Sequence, residues 1–341
     1  MSTIAALILW FGITAYAVFG GADYGAGFWD LTAGGPKRGA RPRALIDQAM
    51  APVFEANNVW LIFSLVVLWT AFPRAFASIM SALFVPMSLA AAGIVLRGSA
   101  FVFRKPVQAL TGRRLLGAAF AVSSVLTPFF LGAAFGAVAS GRVQAGDRGG
   151  DPLAWIGPTP LLIGTLAVLC AAFLAAVFLV FDARRAKEEE LERYFRRRAV
   201  VSAAVTGLLA LAGLFVLKSD APFVFRGLMR EGLPFVVMSA ACGVGLMALV
   251  VRGVVWGTRA LAVAAVVAVL AGWGVAQYPY LLPTSLTIEA GAGAPGTLAW
   301  VLVVFLAAAV TAVPALIFLF VLDQRGRLSE SDHLGRRQRP S

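Results

Sequence analysis

Long apolar runs broken by short clusters of charge set the pattern of this chain. Read for hydropathy, the sequence predicts nine spans, at 4–30, 52–72, 76–96, 115–139, 158–181, 199–217, 233–251, 260–278 and 297–322. Most exceed the roughly 18 apolar residues a helix needs to cross a bilayer. Hydrocarbon offers the backbone no water, and helices satisfy their own N–H and C=O groups, so the spans are expected to be helical. The roughly ten-residue alternating segments of a membrane β-barrel are absent. Pro86, Pro128, Gly272, Gly274 and Pro314 fall inside spans, where neighbouring helices can re-satisfy the freed backbone groups. The first run is too long, and lacks the basic flank, for a cleaved leader; it is read as a retained helix.

The polar connections sharpen this picture. With the N-terminus outside, the connections after spans 1, 3, 5, 7 and 9 carry 4, 5, 7, 2 and 5 Lys or Arg, or 23 of the 29; the N-terminus and remaining connections carry 6. Basic residues concentrate on the cytoplasmic side, so the split predicts an outside N-terminus, an inside C-terminus and an odd number of spans. The segment 182–198, "DARRAKEEELERYFRRR", reads as a cytoplasmic helical extension of mixed charge, and residues 323–341 as a cytoplasmic polar tail. No separate soluble domain is expected: residues 1–341 form a single transmembrane domain.

Composition agrees. The chain of 341 residues is 60% hydrophobic and 13% charged, with a mean hydropathy of +0.84, whereas a soluble domain carries about 25% charge. The net charge of +12 is scattered among short connections that face anionic lipid, and does not indicate nucleic acid. Cys170 and Cys242 lie in apolar runs and read as small hydrophobes, with no disulfide or metal framework.

One count limits the chemistry. The single histidine, His333, lies in the polar tail, so a buried haem cannot be held here through histidine, and Met80, Met87, Met238 and Met247 read as packing residues. Any redox metal is expected in a partner. Two carboxylates fall well inside spans, Asp23 and Glu55; Asp30 sits at the end of the first span, where headgroups and water can solvate it. A charge facing lipid at mid-bilayer costs about 2.5–3.5 kcal/mol on insertion scales, so Asp23 and Glu55 are expected to face protein or water. The two spans are antiparallel, which places both groups at similar depth near the cytoplasmic side, suited to passing protons between waters. A blander reading, that both are capping groups near helix ends, is supported by Pro52 just ahead of Glu55. Asn58 shares a helical face with Glu55; Asn57 points elsewhere, toward a subunit contact. Trp60 and Trp69 read as packing or interfacial anchors, with Trp60 the one candidate for contact with a quinone. Gly21 and Gly25 have the spacing that lets helices approach closely.

At this point the order of motifs becomes specific. "GGADYGAGFWDL" (Gly20–Leu31), "APVFEANNVWLI" (Ala51–Ile62), "AFP" (Ala71–Pro73), "LRGSAFVFR" (Leu96–Arg104) and "YPYLLPTS" (Tyr278–Ser285) together resemble subunit II of the cytochrome bd quinol oxidases, from the first span to the last. The resemblance implies an all-α fold of two four-helix bundles plus a peripheral helix, in a bacterial or archaeal cytoplasmic membrane. It implies a heterodimer whose subunit I carries haems b and d and oxidises quinol, with small single-helix accessory subunits and a structural quinone present in some members. It also implies that Asp23 and Glu55 serve proton uptake toward the oxygen-reducing haems. The chain departs from the family where many members carry an acid (Gly20 and Val102) and where many carry His and Trp (Val53 and Phe54), so the route is expected to be thinner or redirected. Two readings of other classes remain beside it: a secondary transporter binding its coupling ion at Asp23 and Glu55, and a structural membrane scaffold.

Overall fold

The computed structural model describes residues 1–35, 37–50, 54–104, 110–146 and 151–324. The chain is helical almost throughout. In order, the helices are α1 (Ser2–Leu31), α2 (Ala40–Met50), α3 (Phe54–Ala71), α4 (Pro73–Ala82), α5 (Phe84–Arg104), α6 (Leu110–Ala139), α7 (Pro158–Arg185), α8 (Glu189–Asp220), α9 (Pro222–Met229), α10 (Leu233–Val251), α11 (Thr258–Gln277), α12 (Ile288–Gly291) and α13 (Pro295–Gln324). A small antiparallel hairpin, β1 (Tyr280–Leu282) and β2 (Leu286–Thr287), sits between α11 and α12.

Among the described residues, seven helices are long and apolar enough to cross a membrane: α1, α5, α6, α7, α8, α10 and α11. The α3–α4 pair makes an eighth if its bent course is one span. Helix α13, with a described apolar stretch over Pro295–Thr311, occupies the place of the ninth expected span. The chain is a multi-pass membrane protein.

The boundaries differ from the hydropathy reading in two places. The run expected at 76–96 straddles the junction of α4 and α5 at Leu83; the membrane-crossing helix is α5, while α4 belongs with α3, which it meets at 118°. Pro73 has no N–H to continue α3 and disfavours helical geometry at the residue before it; Phe72 accordingly adopts φ −136°, ψ 60°. Hydropathy cannot register a turn made of apolar residues. The segment 182–198 is not one helical extension: α7 ends at Arg185, a turn follows with Lys187 at φ 57°, and α8 begins at Glu189. In the tail, α13 reaches Gln324, and His333 lies outside the described residues.

The packing forms two rings of four. In the first, α1 packs on α3 and α6, α5 packs on α6, and α4 links α3 to α5. In the second, α7 packs on α8 and α11, and α10 on both α8 and α11. The rings join where α7 lies against α1 and α6, while α13 rests on α1 and α3. The seam is made by small residues: a Cβ at Gly25 would run into the Ala171 backbone, one at Gly132 would meet Ala167 and Ile163, and one at Gly136 would meet Pro160. Trp29 donates its indole N–H across the seam to the Ala172 carbonyl at 2.8 Å. Without a hydrophobic drive between helices in lipid, such close approach supplies the association through dispersion.

Candidate functional site

Asp23 lies inside the first ring and is 4% exposed. Its partner is Arg97 of α5, 1% exposed. Nη1 donates to Oδ2 at 2.9 Å, and Nη2 donates to Oδ1 and to the Asp23 carbonyl, both at 3.0 Å. Nε donates to Ser124 Oγ of α6 at 2.8 Å. The guanidinium also lies over the rings of Tyr24 and Phe120, 4.5 and 5.0 Å from their centroids. One arginine therefore ties three helices together through a planar fork matched to a carboxylate.

The backbone makes room for this. A Cβ at Gly27 would strike Ser124, and one at Gly93 would strike Thr127 Oγ1, so the glycines of α1 and α5 are what let the hydroxyl-bearing face of α6 approach. Ser123, Ser124 and Thr127 are all buried. Above them, Tyr16 donates its hydroxyl to Tyr24 at 3.2 Å. The result is a string of polar side chains, from Tyr16 through Tyr24 and Arg97 to Ser124, enclosed in an apolar bundle.

Arg97 was not singled out by the sequence reading, which ended its third span at residue 96 and counted this arginine among the loop charges. A usable signal is present: one carboxylate buried in a bundle needs a cation, and Arg97 is the first residue after the third span, directly against its apolar run.

Asp30 also differs from expectation. It is 4% exposed rather than solvated, because α2 folds beneath the end of α1. Arg43 of α2 donates from Nε to Asp30 Oδ1 at 2.7 Å and from Nη2 to the Gly34 carbonyl at 2.7 Å. Hydropathy gave no sign of α2, whose apolar face is four residues, Pro42, Leu45, Ile46 and Met50.

The backbone of Glu55 is the second residue of α3; its side chain lies outside the described residues, as do Pro52 and Val53. Its depth follows from helix geometry. Ser64 and Phe63 of α3 touch α1 at Gly12, and Phe19 stacks on Trp60, so the two helices run antiparallel. Glu55 precedes Ser64 by nine residues and Asp23 follows Gly12 by eleven. At 1.5 Å per residue, the two positions differ by only about 3 Å along the bundle.

Asn58 is half-buried, and Asn57 is buried within this chain, so it is not presented to a second subunit. Trp60 is half-buried with its ring against Phe11, Phe19 and Phe63, at centroid distances of 5.6, 6.4 and 6.3 Å. Trp69 is 62% exposed and stacks on Phe76. Cys170 and Cys242 are free. Among the described residues no group of three or more His, Cys, Asp or Glu comes together in a way that could hold a metal.

Comparison with known proteins places this architecture. The family model for cytochrome bd terminal oxidase subunit II matches residues 1–322. A Bacillus subtilis chain, provisionally described as a cytochrome bd menaquinol oxidase subunit II, is 22% identical over 94% of this chain and 96% of its own length. Subunit 2 of the Escherichia coli cytochrome bd-I ubiquinol oxidase is 27% identical over 64% of this chain and 57% of its own. Among solved structures, a chain of the bd oxidase from Geobacillus thermodenitrificans superposes with a TM-score of 0.73 at 24% identity, covering 94% of this chain and 98% of that one, and so shares its fold. The chain belongs to the cytochrome bd terminal oxidase subunit II family, and is a subunit of a quinol oxidase complex that reduces oxygen.

Proposed function

We propose that this subunit supports assembly of the haem-bearing subunit I and conducts cytoplasmic protons toward the oxygen-reducing site, with Asp23, Glu55 and Asn58 on the route. The supporting observation is the placement of Asp23 and Glu55 at matching depth on adjacent antiparallel helices. Their roles separate. Both oxygens of Asp23 are held by Arg97, which makes this pair a fixed, balanced charge that orders the polar string around it. Glu55, near the start of α3 with Asn58 on the same face, is the group that exchanges protons with water. Reducing oxygen to water consumes protons; drawing them from inside while quinol releases them outside separates charge across the membrane.

Haems b and d belong, in this reading, to subunit I. Trp60 remains the candidate contact for a structural quinone, and small single-helix accessory subunits fit the long exposed apolar faces. The orientation is N-terminus outside and C-terminus inside, in a bacterial or archaeal cytoplasmic membrane, with residues 1–341 as one transmembrane domain; labelling of a cysteine placed near Arg193 from the outside would reverse it. The transporter alternative is not retained, since the oxidase family model spans nearly the whole chain.

The test is Glu55→Gln in the assembled oxidase. The amide keeps the volume but cannot cycle a proton. Quinol-driven oxygen uptake and charge translocation in vesicles are expected to fall with haem content unchanged. Wild-type rates and charge separation would remove Glu55 from the route.

A further inference from the structure

The first turns of α8 carry a basic cluster that the proton route does not use. Arg193, Tyr194, Arg196, Arg197 and Arg198, with Glu190, line an open groove of about 510 Å³. Glu190 is already engaged by Arg41 of α2, and among the described residues no carboxylate pairs with the four guanidinium groups that the groove presents. Arg198 is braced from one side: its guanidinium lies 3.5 Å from the Tyr194 ring centroid and 5.4 Å from that of Trp29. Its Nε and the Tyr194 hydroxyl are buried without a hydrogen-bond partner. Buried donors left unpaired cost free energy, and an acceptor entering the groove would relieve that cost.

The surface leading away from the cluster is the second, independent observation. Helical spacing puts Arg193, Arg197, Val201, Val205 and Leu208 in one lane along α8. Val201, Val205 and Leu208 are 61, 44 and 69% exposed. A cationic head of the lane is thus continued by an open apolar track running into the membrane. A free anion would use only the head; the molecule that uses both has a phosphodiester and an acyl chain.

We infer that the groove at the start of α8 is a binding site for an anionic phospholipid, its phosphodiester held by Arg193, Arg197 and Arg198 and an acyl chain lying along Val201, Val205 and Leu208. Arginine forks suit phosphate oxygens, and their weaker hydration lowers the cost of moving them to the headgroup layer. The site joins α8 to α1 through Arg198 and Trp29, so a bound lipid would hold the second ring against the end of the first.

The experiment uses the intact oxidase complex in detergent, depleted of lipid. Phosphatidylglycerol, phosphatidylcholine and inorganic phosphate are added in turn, and bound lipid is counted by native mass spectrometry, with the haem spectrum as the control for assembly. Wild type is expected to keep one phosphatidylglycerol that the exposed pair Arg193→Gln/Arg197→Gln loses. Each basic residue near the surface contributes about 1 kcal/mol, so the double change should weaken binding roughly 30-fold. Arg226→Gln/Arg230→Gln, at the end of α9, serves as the charge control and is expected to leave that lipid in place. Val201→Asp/Leu208→Asp, which spoils the track alone, should also release it. Equal lipid retention by wild type and the α8 pair would overturn the proposal, as would equal loss in the charge control. Displacement of the lipid by millimolar inorganic phosphate, or binding of phosphatidylcholine as tight as phosphatidylglycerol, would overturn it as well.

Discussion

The two rings solve one topological problem with different cores. Each has a second helix that breaks at a proline, α3 into α4 and α8 into α9, and the residues before the two prolines adopt nearly the same backbone angles: φ −136°, ψ 60° at Phe72 and φ −136°, ψ 57° at Ala221. Phe76 and Met80 follow Pro73 at the same distances as Phe225 and Met229 follow Pro222. Pro73 and Pro222 are 149 positions apart; the same shift carries Asp23 to Ala172 and Arg97 to Leu246. Ala172 and Leu246 are 1% and 0% exposed and belong to one apolar cluster. Where the first ring buries an ion pair, the second buries an alanine and a leucine. The fold therefore does not require the charges. An ion pair taken out of water is rarely stabilising relative to apolar residues of similar size, so its presence in one ring only points to a task beyond packing.

The largest expected effect comes from breaking that pair on one side. Arg97→Leu leaves the Asp23 carboxylate buried without a partner, and Asp23→Ala leaves the guanidinium so; each should cost about 3–5 kcal/mol. Loss of haem-loaded complex on purification, or a large drop in its unfolding midpoint, would register this. The double change Asp23→Ala/Arg97→Leu installs the second ring's solution in the first and should recover most of the stability. If the recovered complex also translocates charge as wild type does, Asp23 is not on the proton route. If neither single change lowers stability, the pair is not isolated from water as its burial indicates.

A smaller effect is expected at the seam between the rings. Gly25→Ala would drive a methyl group into the backbone carbonyl of Ala171, which cannot rotate aside, whereas a Cβ at Gly21 would rest 3.5 Å from Leu174 Cδ1, in ordinary contact. Overpacking costs about 1–3 kcal/mol when the neighbour cannot yield. Gly25→Ala should lower the unfolding midpoint clearly and Gly21→Ala scarcely. Equal effects would mean that the rings meet elsewhere.

The spread between these two glycines shows how far the sequence could be read. Spacing flagged Gly21 and Gly25 together, but only the crossing point of α1 and α7 separates them. The spans, their helical state and the family were legible because hydropathy runs and ordered motifs are local properties. Asp23 was legible because a carboxylate in an apolar run is conspicuous. Arg97 was not, because its neighbours to one side are loop charges and a window average assigns it to them. The breaks at Phe72 and Ala221 have a local cause in Pro73 and Pro222, which a hydropathy average does not register, whereas the buried state of Asp30 and the helix α2 beneath it depend on contacts between distant segments, which no local pattern encodes.

A third effect, smaller again, concerns the far end of the bundle. Asp220, the last residue of α8, accepts from both terminal nitrogens of Arg142, at 2.9 and 2.6 Å, and from the Thr159 amide at 2.9 Å. This ties α8 and the start of α7 to the connection after α6, a clamp between rings. Charged hydrogen bonds contribute about 1.5–3 kcal/mol each when removed from burial; partial exposure of both partners (30% and 16%) brings Asp220→Ala toward the lower end, roughly 1–2 kcal/mol. A midpoint shift below that of Gly25→Ala is expected.

The smallest effect tests the equivalence of the rings most directly. Pro73 and Pro222 each open a helix at its first position, where the missing N–H is not needed and the fixed φ suits the helix. Each limits the unfolded chain, so Pro73→Ala and Pro222→Ala should each cost about 0.4–1 kcal/mol. Neither should straighten the break, because Phe72 and Ala221 are 0% and 2% exposed and held by surrounding packing. Equal small shifts in unfolding midpoint, with oxygen uptake unchanged, are the expected result. A shift several times larger at one proline would show that this break carries strain or a contact with another subunit that its counterpart lacks, and the two rings would then differ in architecture as well as in what they bury.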